Sequence, residues 1–401
     1  METITGFKKF TNAFYVYKFF KDFAFIYAVY VILFRLRGLS IFEVSILIAI
    51  WSAFIVLFEV PTGALADKYN RKHMMIIGML FKAIGFGIWI FANSFSLFAL
   101  GFLFCAVQIT FCSGTQEALL YDNLKKFKKE NQYEKISGKG HFYSSIAIGS
   151  SMFLGGFLGA YSFTLTLLLS SFAMVISIIP IFFFHEVKYR KTSTKEVKYI
   201  DYIKNAFKES ASNKKLLNFL LYSMVIIAIV MSLDEFSQLF YEWVGLPIMF
   251  FGAAALVMMI FDAFGSRLAY KFNKRYSNQN MIYLLSIVAS ILLICSLFYN
   301  SFIMLIPFLL IFFFIAICRV LVESGIQKEI RTDQRATIMS INSLLVHLSA
   351  VFLAVFFGIV SELMSLRWGF AAFAFIILGF SIFSIFWNLK RKYKEAIKNK
   401  Q

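Results

Sequence analysis

Stretches of about 20 mostly apolar residues recur along the whole chain, and each is long enough to carry a helix across the hydrocarbon core of a bilayer. Twelve can be placed, at approximately 11–35, 43–65, 74–93, 96–120, 140–161, 164–185, 216–241, 247–270, 280–299, 302–326, 337–360 and 366–389. The runs are continuous and lack the two-residue alternation of a transmembrane barrel strand. The expected fold class is therefore an all-α integral membrane protein with 12 transmembrane helices. Composition agrees: 60% of the residues are hydrophobic and 15% charged, against about 45–50% and about 25% in soluble domains.

The position of the charge says more than its sum. The formal net charge is +18, from 40 Lys and Arg against 22 Asp and Glu. With the N-terminus inside, the loops on the outer side hold only Arg35, Arg37 and Arg367, while Lys18, Lys21, Lys82, Arg267 and Arg319 fall within spans. The remaining basic residues, among them Lys125, Lys126, Lys128 and Lys129, fall on the inner side. This asymmetry predicts both termini in the cytoplasm. It assigns the basic runs to topology and anionic lipid headgroups rather than nucleic acid. The first apolar run lacks a small-residue cleavage site, so no removable signal peptide is expected. The long polar stretch 186–215 divides the chain into 1–185 and 216–401. Within it Val197, Ile200, Ile203 and Phe207 have helical spacing, which predicts a short amphipathic helix on the inner membrane surface. Cys105, Cys112, Cys295 and Cys318 lie scattered in apolar runs and read as buried free thiols, with no metal site.

The chain repeats itself. "EVPTGALADKYNRK" at 59–72 is echoed by "DAFGSRLAYKFNKR" at 262–275, pairing Glu59 with Asp262, Lys68 with Lys271 and Asn70 with Asn273. "SGTQ" at 113–116 is echoed by "SGIQ" at 324–327. Each echo falls at the same place in its half, as expected of a duplicated six-helix unit.

The residues Gly63, Asp67, Lys68, Arg71 and Lys72 resemble the loop signature of the major facilitator superfamily, with Asn70 in place of its usual Gly. Asn is the next-best residue for a left-handed turn. The second copy has Tyr270 at the position of Asp67. The resemblance covers nearly the whole chain. It implies two pseudo-symmetric six-helix bundles that rock against each other, in a monomer of the bacterial cell membrane. It also implies a cytoplasmic gate built from Gly63, Asp67, Arg71 and Lys72, with Asp122 or else Glu117 as the acid facing Arg71.

A charge at the bilayer centre costs at least about 2.5–3.5 kcal/mol, so charges within spans are rare. Lys18, Lys21 and Asp22 lie close to one face of the first helix, and an i, i+4 pair between Lys18 and Asp22 is one reading. By the resemblance, the first and fourth helices of each half line the cavity. Asp22 is then a proton- or substrate-binding candidate, as are Lys18, Asp234, Glu235, Gln108, Arg319 and Glu323. Arg319 either pairs with Glu323 one turn on, anchors an anion, or is the counter-ion of Asp22. Glu59, Asp262, Glu117 and Glu323 read as lying near the cytoplasmic ends. Lys82 is expected to snorkel to the inner interface, and His347 to bond a neighbouring helix.

No catalytic constellation and no phosphate-cradling loop appear, so neither an enzyme nor an ATP-driven pump is expected, and no cofactor beyond a proton gradient. Drug/proton antiporters of this superfamily carry an Arg within the fourth helix and a Gly-Pro in the fifth. Here "FLFCAVQITFCSGTQ" has no Arg, and Ser151-Met152 stand where Gly-Pro would. "EVPTG" and "SGTQEALLYD" nonetheless resemble bacterial drug-efflux-type members. The sequence thus predicts a proton-coupled exporter of amphipathic small molecules. An importer of a small charged nutrient or metabolite is the alternative, and a non-transporting sensor or scaffold the reading from another class. Many paired charges favour a polar solute; one lone acid among aromatics favours lipophilic cations.

Overall fold

The first apolar segment does not run as one helix but breaks at the charges in its middle. A computed structural model describes residues 2–68, 70–185, 213–275, 279–330 and 335–398, with backbone alone at 2–4, 59–61, 63–68, 272–275, 335–337, 340 and 391–398. In it, α1 (Glu2–Asp22) stops at the acid, a 3₁₀ turn follows (Phe25–Ala28), and α2 (Tyr30–Leu36) resumes. The elements after it are α3 (Ile41–Lys68), α4 (Arg71–Phe91), α5 (Phe95–Cys112), α6 (Thr115–Lys126), α7 (Tyr133–Tyr161), α8 (Phe163–Ile176) and α9 (Ile178–Ile181). The second part holds α10 (Lys214–Tyr222), a π-helical turn (Ser223–Ile227), α11 (Ala228–Glu235), α12 (Ser237–Trp243), α13 (Phe251–Arg275), α14 (Gln279–Ser296), α15 (Leu305–Glu329), α16 (Arg335–Leu363) and α17 (Leu366–Lys398). The amphipathic helix expected around 197–207 lies outside the described residues.

Among the described residues, eleven helices are long and apolar enough to cross a membrane, and the expected first span is not one of them. Two other expected spans are interrupted. The fourth breaks at Ser113–Gly114, where Gly114 takes φ +66°, and the seventh contains the π turn and a second break at Phe236. Large apolar side chains such as Phe91, Phe352, Leu363 and Phe386 are exposed, the surface a bilayer covers.

The chain forms two compact units, Met1–Ser193 with Pro247–Leu256, and Thr194–Leu246 with Val257–Gln401. In the first, α4 packs on α5 and α8, α5 on α3, and α1 on α7. In the second, α14 packs on α15 and α17, and α16 on α17. The core is aromatic. Phe34, Trp89, Phe98 and Phe102 cluster in the first unit, and Phe240 stacks on Phe308 with centroids 4.0 Å apart in the second. Cys105, Cys112 and Cys318 are buried as expected, but Cys295 is exposed.

Two features of neighbouring helices hold the break in the first segment. The Ile26 N–H, released from helical bonding, donates to Ser170 Oγ of α8 at 3.0 Å. Gly155 of α7 lets the backbone of Phe25 approach so closely that a Cβ there would meet its carbonyl, and Gly159 gives the same room to Val29. Non-helical backbone in a membrane is tolerated only when its polar groups are satisfied by protein or water. Gly155→Val should therefore lower stability by about 1–3 kcal/mol, the usual cost of overpacking. Gly87→Ala, whose Cβ would meet open space, should not. Thermal unfolding of the detergent-solubilised protein reads the difference.

Candidate functional site

Three groups of polar side chains stand out. The first lies at the turn between α3 and α4. Asn70 caps α4, its Oδ1 accepting from His73 N at 3.1 Å, with φ −62°. It is thus an extended N-cap and not a left-handed turn, because a helix start needs an acceptor for its free N–H groups. Arg71 Nη1 then donates to Asp122 Oδ2 of α6 at 2.5 Å, and Asp122 is only 6% exposed. Lys72 Nζ donates to the carbonyls of Phe182 at 2.8 Å and Phe184 at 3.4 Å, where a cation suits the end of a helix. Asn123, beside Asp122, both donates to and accepts from the His185 backbone at 2.9 Å. The start of α4 and the end of α6 are so tied to the chain beyond α9. Glu117 Oε1 accepts from Gln116. The side chain of Asp67 lies outside those described, and Gly63 is described by its place in α3 alone.

The second group surrounds the end of α1. Asp22 is paired with Lys21 at 2.9 Å, not with Lys18, and accepts a hydrogen bond from Ser144 Oγ of α7. Lys82, midway along α4, does not snorkel. It is 5% exposed, its Nζ donates to the Lys21 carbonyl at 3.2 Å, and it sits 5.2 Å from the centroid of the Tyr27 ring. The break after Asp22 leaves that carbonyl unbonded by the helix, which is why a lysine can cap it. Lys18 is also 5% exposed, with its stem against Gly140, and makes no hydrogen bond or ion pair among the described residues. Along the same two helices runs a cleft of about 470 Å³, lined by Asn12, Tyr15, Phe19, Phe20, Tyr143 and Ile146.

The third group is in the second unit. Arg319 of α15 grips Asp262 of α13 with two hydrogen bonds, 2.9 and 2.7 Å. The Arg319 partner is therefore neither Glu323 nor Asp22. Asp262 is not at the end of a span either, but near the middle of α13. Both side chains remain accessible, at 49% and 35%. One guanidinium nitrogen, Nη2, thus serves both carboxylate oxygens in a charge-assisted contact between helices. Asp234 of α11 is exposed and lies within electrostatic range of both, while Glu235, turned about 100° away, is half-buried. Glu323 is exposed. Gln108 is buried, with Nε2 3.9 Å from Met79 Sδ.

Sequence reasoning misplaced Lys82 and missed Ser144. Lys82 was visible as a charge within a span, but its direction was not. Nothing marks Ser144 among the many serines.

The family model of the Major Facilitator Superfamily matches residues 15–352. The chain belongs to the Major Facilitator Superfamily. It is a multi-pass membrane transporter rather than an enzyme. An uncharacterized transporter of Buchnera aphidicola subsp. Schizaphis graminum (strain Sg) is 32% identical over 103 residues, a quarter of each chain. Among solved structures, the nucleoside transporter NupG is similar over 94% of this chain and 99% of its own, with TM-score 0.79 and 14% identity. A bacterial homolog of the human lysosomal transporter Spinster matches over 96% and 95%, with TM-score 0.70 and 15% identity. The POT family transporter PepTSo matches over 96% and 98%, with TM-score 0.70 and 10% identity. At these identities the likeness is one of fold.

Two tests follow from the first group. A double-mutant cycle with Arg71→Ala and Asp122→Asn should return a coupling energy of about 0.5–3 kcal/mol in thermal unfolding, as side chains in contact do. The second concerns His185. Burial first, then Lys126 and Lys72, hold its imidazole below the usual 6.5. The folded protein thus binds fewer protons there than the unfolded chain, so stability is full above about pH 6.5 and falls as pH drops through and below it. His185→Gln should flatten that part of the stability profile between about pH 7 and 5, measured as melting temperature against pH.

Proposed function

We propose that this transporter works by alternating access and carries a polar, charged small molecule, driven by the proton gradient. The observation that carries the reading is that charges within the spans come as groups, Lys21–Asp22 beside Lys82 in one unit and Arg319–Asp262 beside Asp234 in the other. A lone acid in an aromatic cage would suit a lipophilic cation; grouped charges suit a solute that carries charges of its own. They also have a cost that packing alone does not require. In this reading Asp262 takes the coupling proton. Protonation removes its charge, loosens the hold of Arg319, and changes what the second unit offers to solute.

The same reading places both termini and the basic loops in the cytoplasm of a bacterium, by the positive-inside rule. Gly63, Asp67, Arg71, Lys72 and Asp122, with Glu117 nearby, then form the inner gate. Its charge-assisted bonds suffice to bias a two-state element by a few kcal/mol. Export of amphipathic compounds stands as the second reading, favoured by the cleft lined with Tyr15, Phe19, Phe20 and Tyr143.

Reconstituted vesicles with an imposed pH gradient, offered a mixed panel of charged metabolites and lipophilic cations, test these readings together. Accumulation of a charged metabolite supports the first; movement of lipophilic cations alone supports the second. Asp262→Asn should abolish gradient-driven accumulation by at least tenfold and leave solute exchange at equal pH intact. Loss of both activities would remove Asp262 from the coupling role.

A further inference from the structure

Resting on the transport reading above, we propose that the first unit binds an anionic group of its solute, a carboxylate or phosphate, on Lys18 at the break of the first segment. Two of the neighbouring charges are already answered. Asp22 has Lys21 and Ser144, while Lys82 has the Lys21 carbonyl and the Tyr27 ring. Lys18 is 95% buried by its 5% exposure and has no hydrogen bond or ion pair among the described residues. Within its electrostatic range are Lys21, Asp22 and Glu117, and Lys82 acts on Asp22 in turn. The local sum is three ammonium groups against two carboxylates, Asp22 and Glu117. Asp22 is spoken for, while Glu117, in the first turn of α6, keeps Oε2 without a hydrogen-bond partner, so an excess of one ammonium remains.

A lysine whose stem is buried and whose ammonium has three N–H donors and no protein acceptor leaves those donors to whatever enters beside it. An incoming anion supplies the acceptor and cancels the local excess charge. Discontinuous helices of transporters are recurrent places for ligand groups, because the break frees backbone and admits polar contact. Here the freed carbonyl of Lys21 is already taken by Lys82, so the break presents ammonium groups instead. Lys21, with its side chain 14% exposed, stands one turn away and can share the anion. Lys82 acts through the Lys21 carbonyl and is a positioning residue.

The full chain, in nanodiscs of phosphatidylcholine, should be titrated at constant ionic strength with inorganic phosphate, benzoate and tetraphenylphosphonium, using melting temperature and isothermal calorimetry. Saturable stabilisation by benzoate or phosphate, and not by the cation, is expected, and which of the two binds assigns carboxylate or phosphate. Lys18→Gln should weaken that binding at least tenfold, Lys18→Arg should restore most of it, and Lys135→Gln, on an exposed face of α7, should leave it unchanged. Stabilisation by the cation alone, or undiminished anion binding in a folded Lys18→Gln protein, overturns the proposal. So does wild-type indifference to both anions, which holds even if no Lys18 variant folds. If added phosphatidylglycerol abolishes anion binding, the site belongs to a lipid headgroup and the solute assignment fails. Anion binding with no solute movement in vesicles would refute the transport reading while sparing this site; cation transport with no anion binding would do the reverse.

Discussion

Removing an ammonium or a carboxylate from water costs several kcal/mol even after the protein relaxes around it. The architecture around α1 is organised by that cost. Asp22 ends the helix, Lys21 neutralises it, and Ser144 completes its hydrogen bonding. The backbone carbonyl that the break exposes is answered by Lys82 from another helix. The freed N–H of Ile26 goes to Ser170, and the small residues Gly155 and Gly159 bring the partners into reach. Remove the charges and a plain apolar helix would cost less. Their presence therefore asks for a reason beyond stability, and binding of a charged solute supplies one.

The second unit solves a similar problem differently. Arg319 and Asp262 meet from two helices in a two-bond fork, and both stay partly accessible. A pair of that kind is held by charge and remains open on one side. Asp22 and Asp262 are thus unequal. One carboxylate is nearly enclosed by cations and a hydroxyl, and the other is open on one side. The division of labour proposed above, solute in the first unit and proton in the second, follows from this inequality.

Much of this was legible in the sequence because it follows from simple physics. Long apolar runs announced the spans, and the family signature at 63–72 announced the family that the match over 15–352 then showed. Asp122 was named as the acid facing Arg71, and the two side chains do meet. What could not be read was direction around a helix axis. Lys82 and Arg319 were each one charge in an apolar run, and a run does not say which neighbour a long side chain will reach. Spacing suggested Lys18–Asp22 and Arg319–Glu323, because i, i+4 residues share a helix face. The folded chain pairs Asp22 with the adjacent Lys21, and Arg319 with Asp262 of another helix, a tertiary contact. The broken first segment was hidden for a related reason: its support comes from Ser170 and Gly155, more than a hundred residues away.

The central claim is that these grouped charges move a charged solute together with protons. It is tested most directly by internal pH. Vesicles containing the purified protein and a trapped pH-sensitive dye should report a proton flux when a transported anionic solute is added at equal starting pH, and protein-free vesicles should not. Solute entry at an unchanged internal pH would contradict the account.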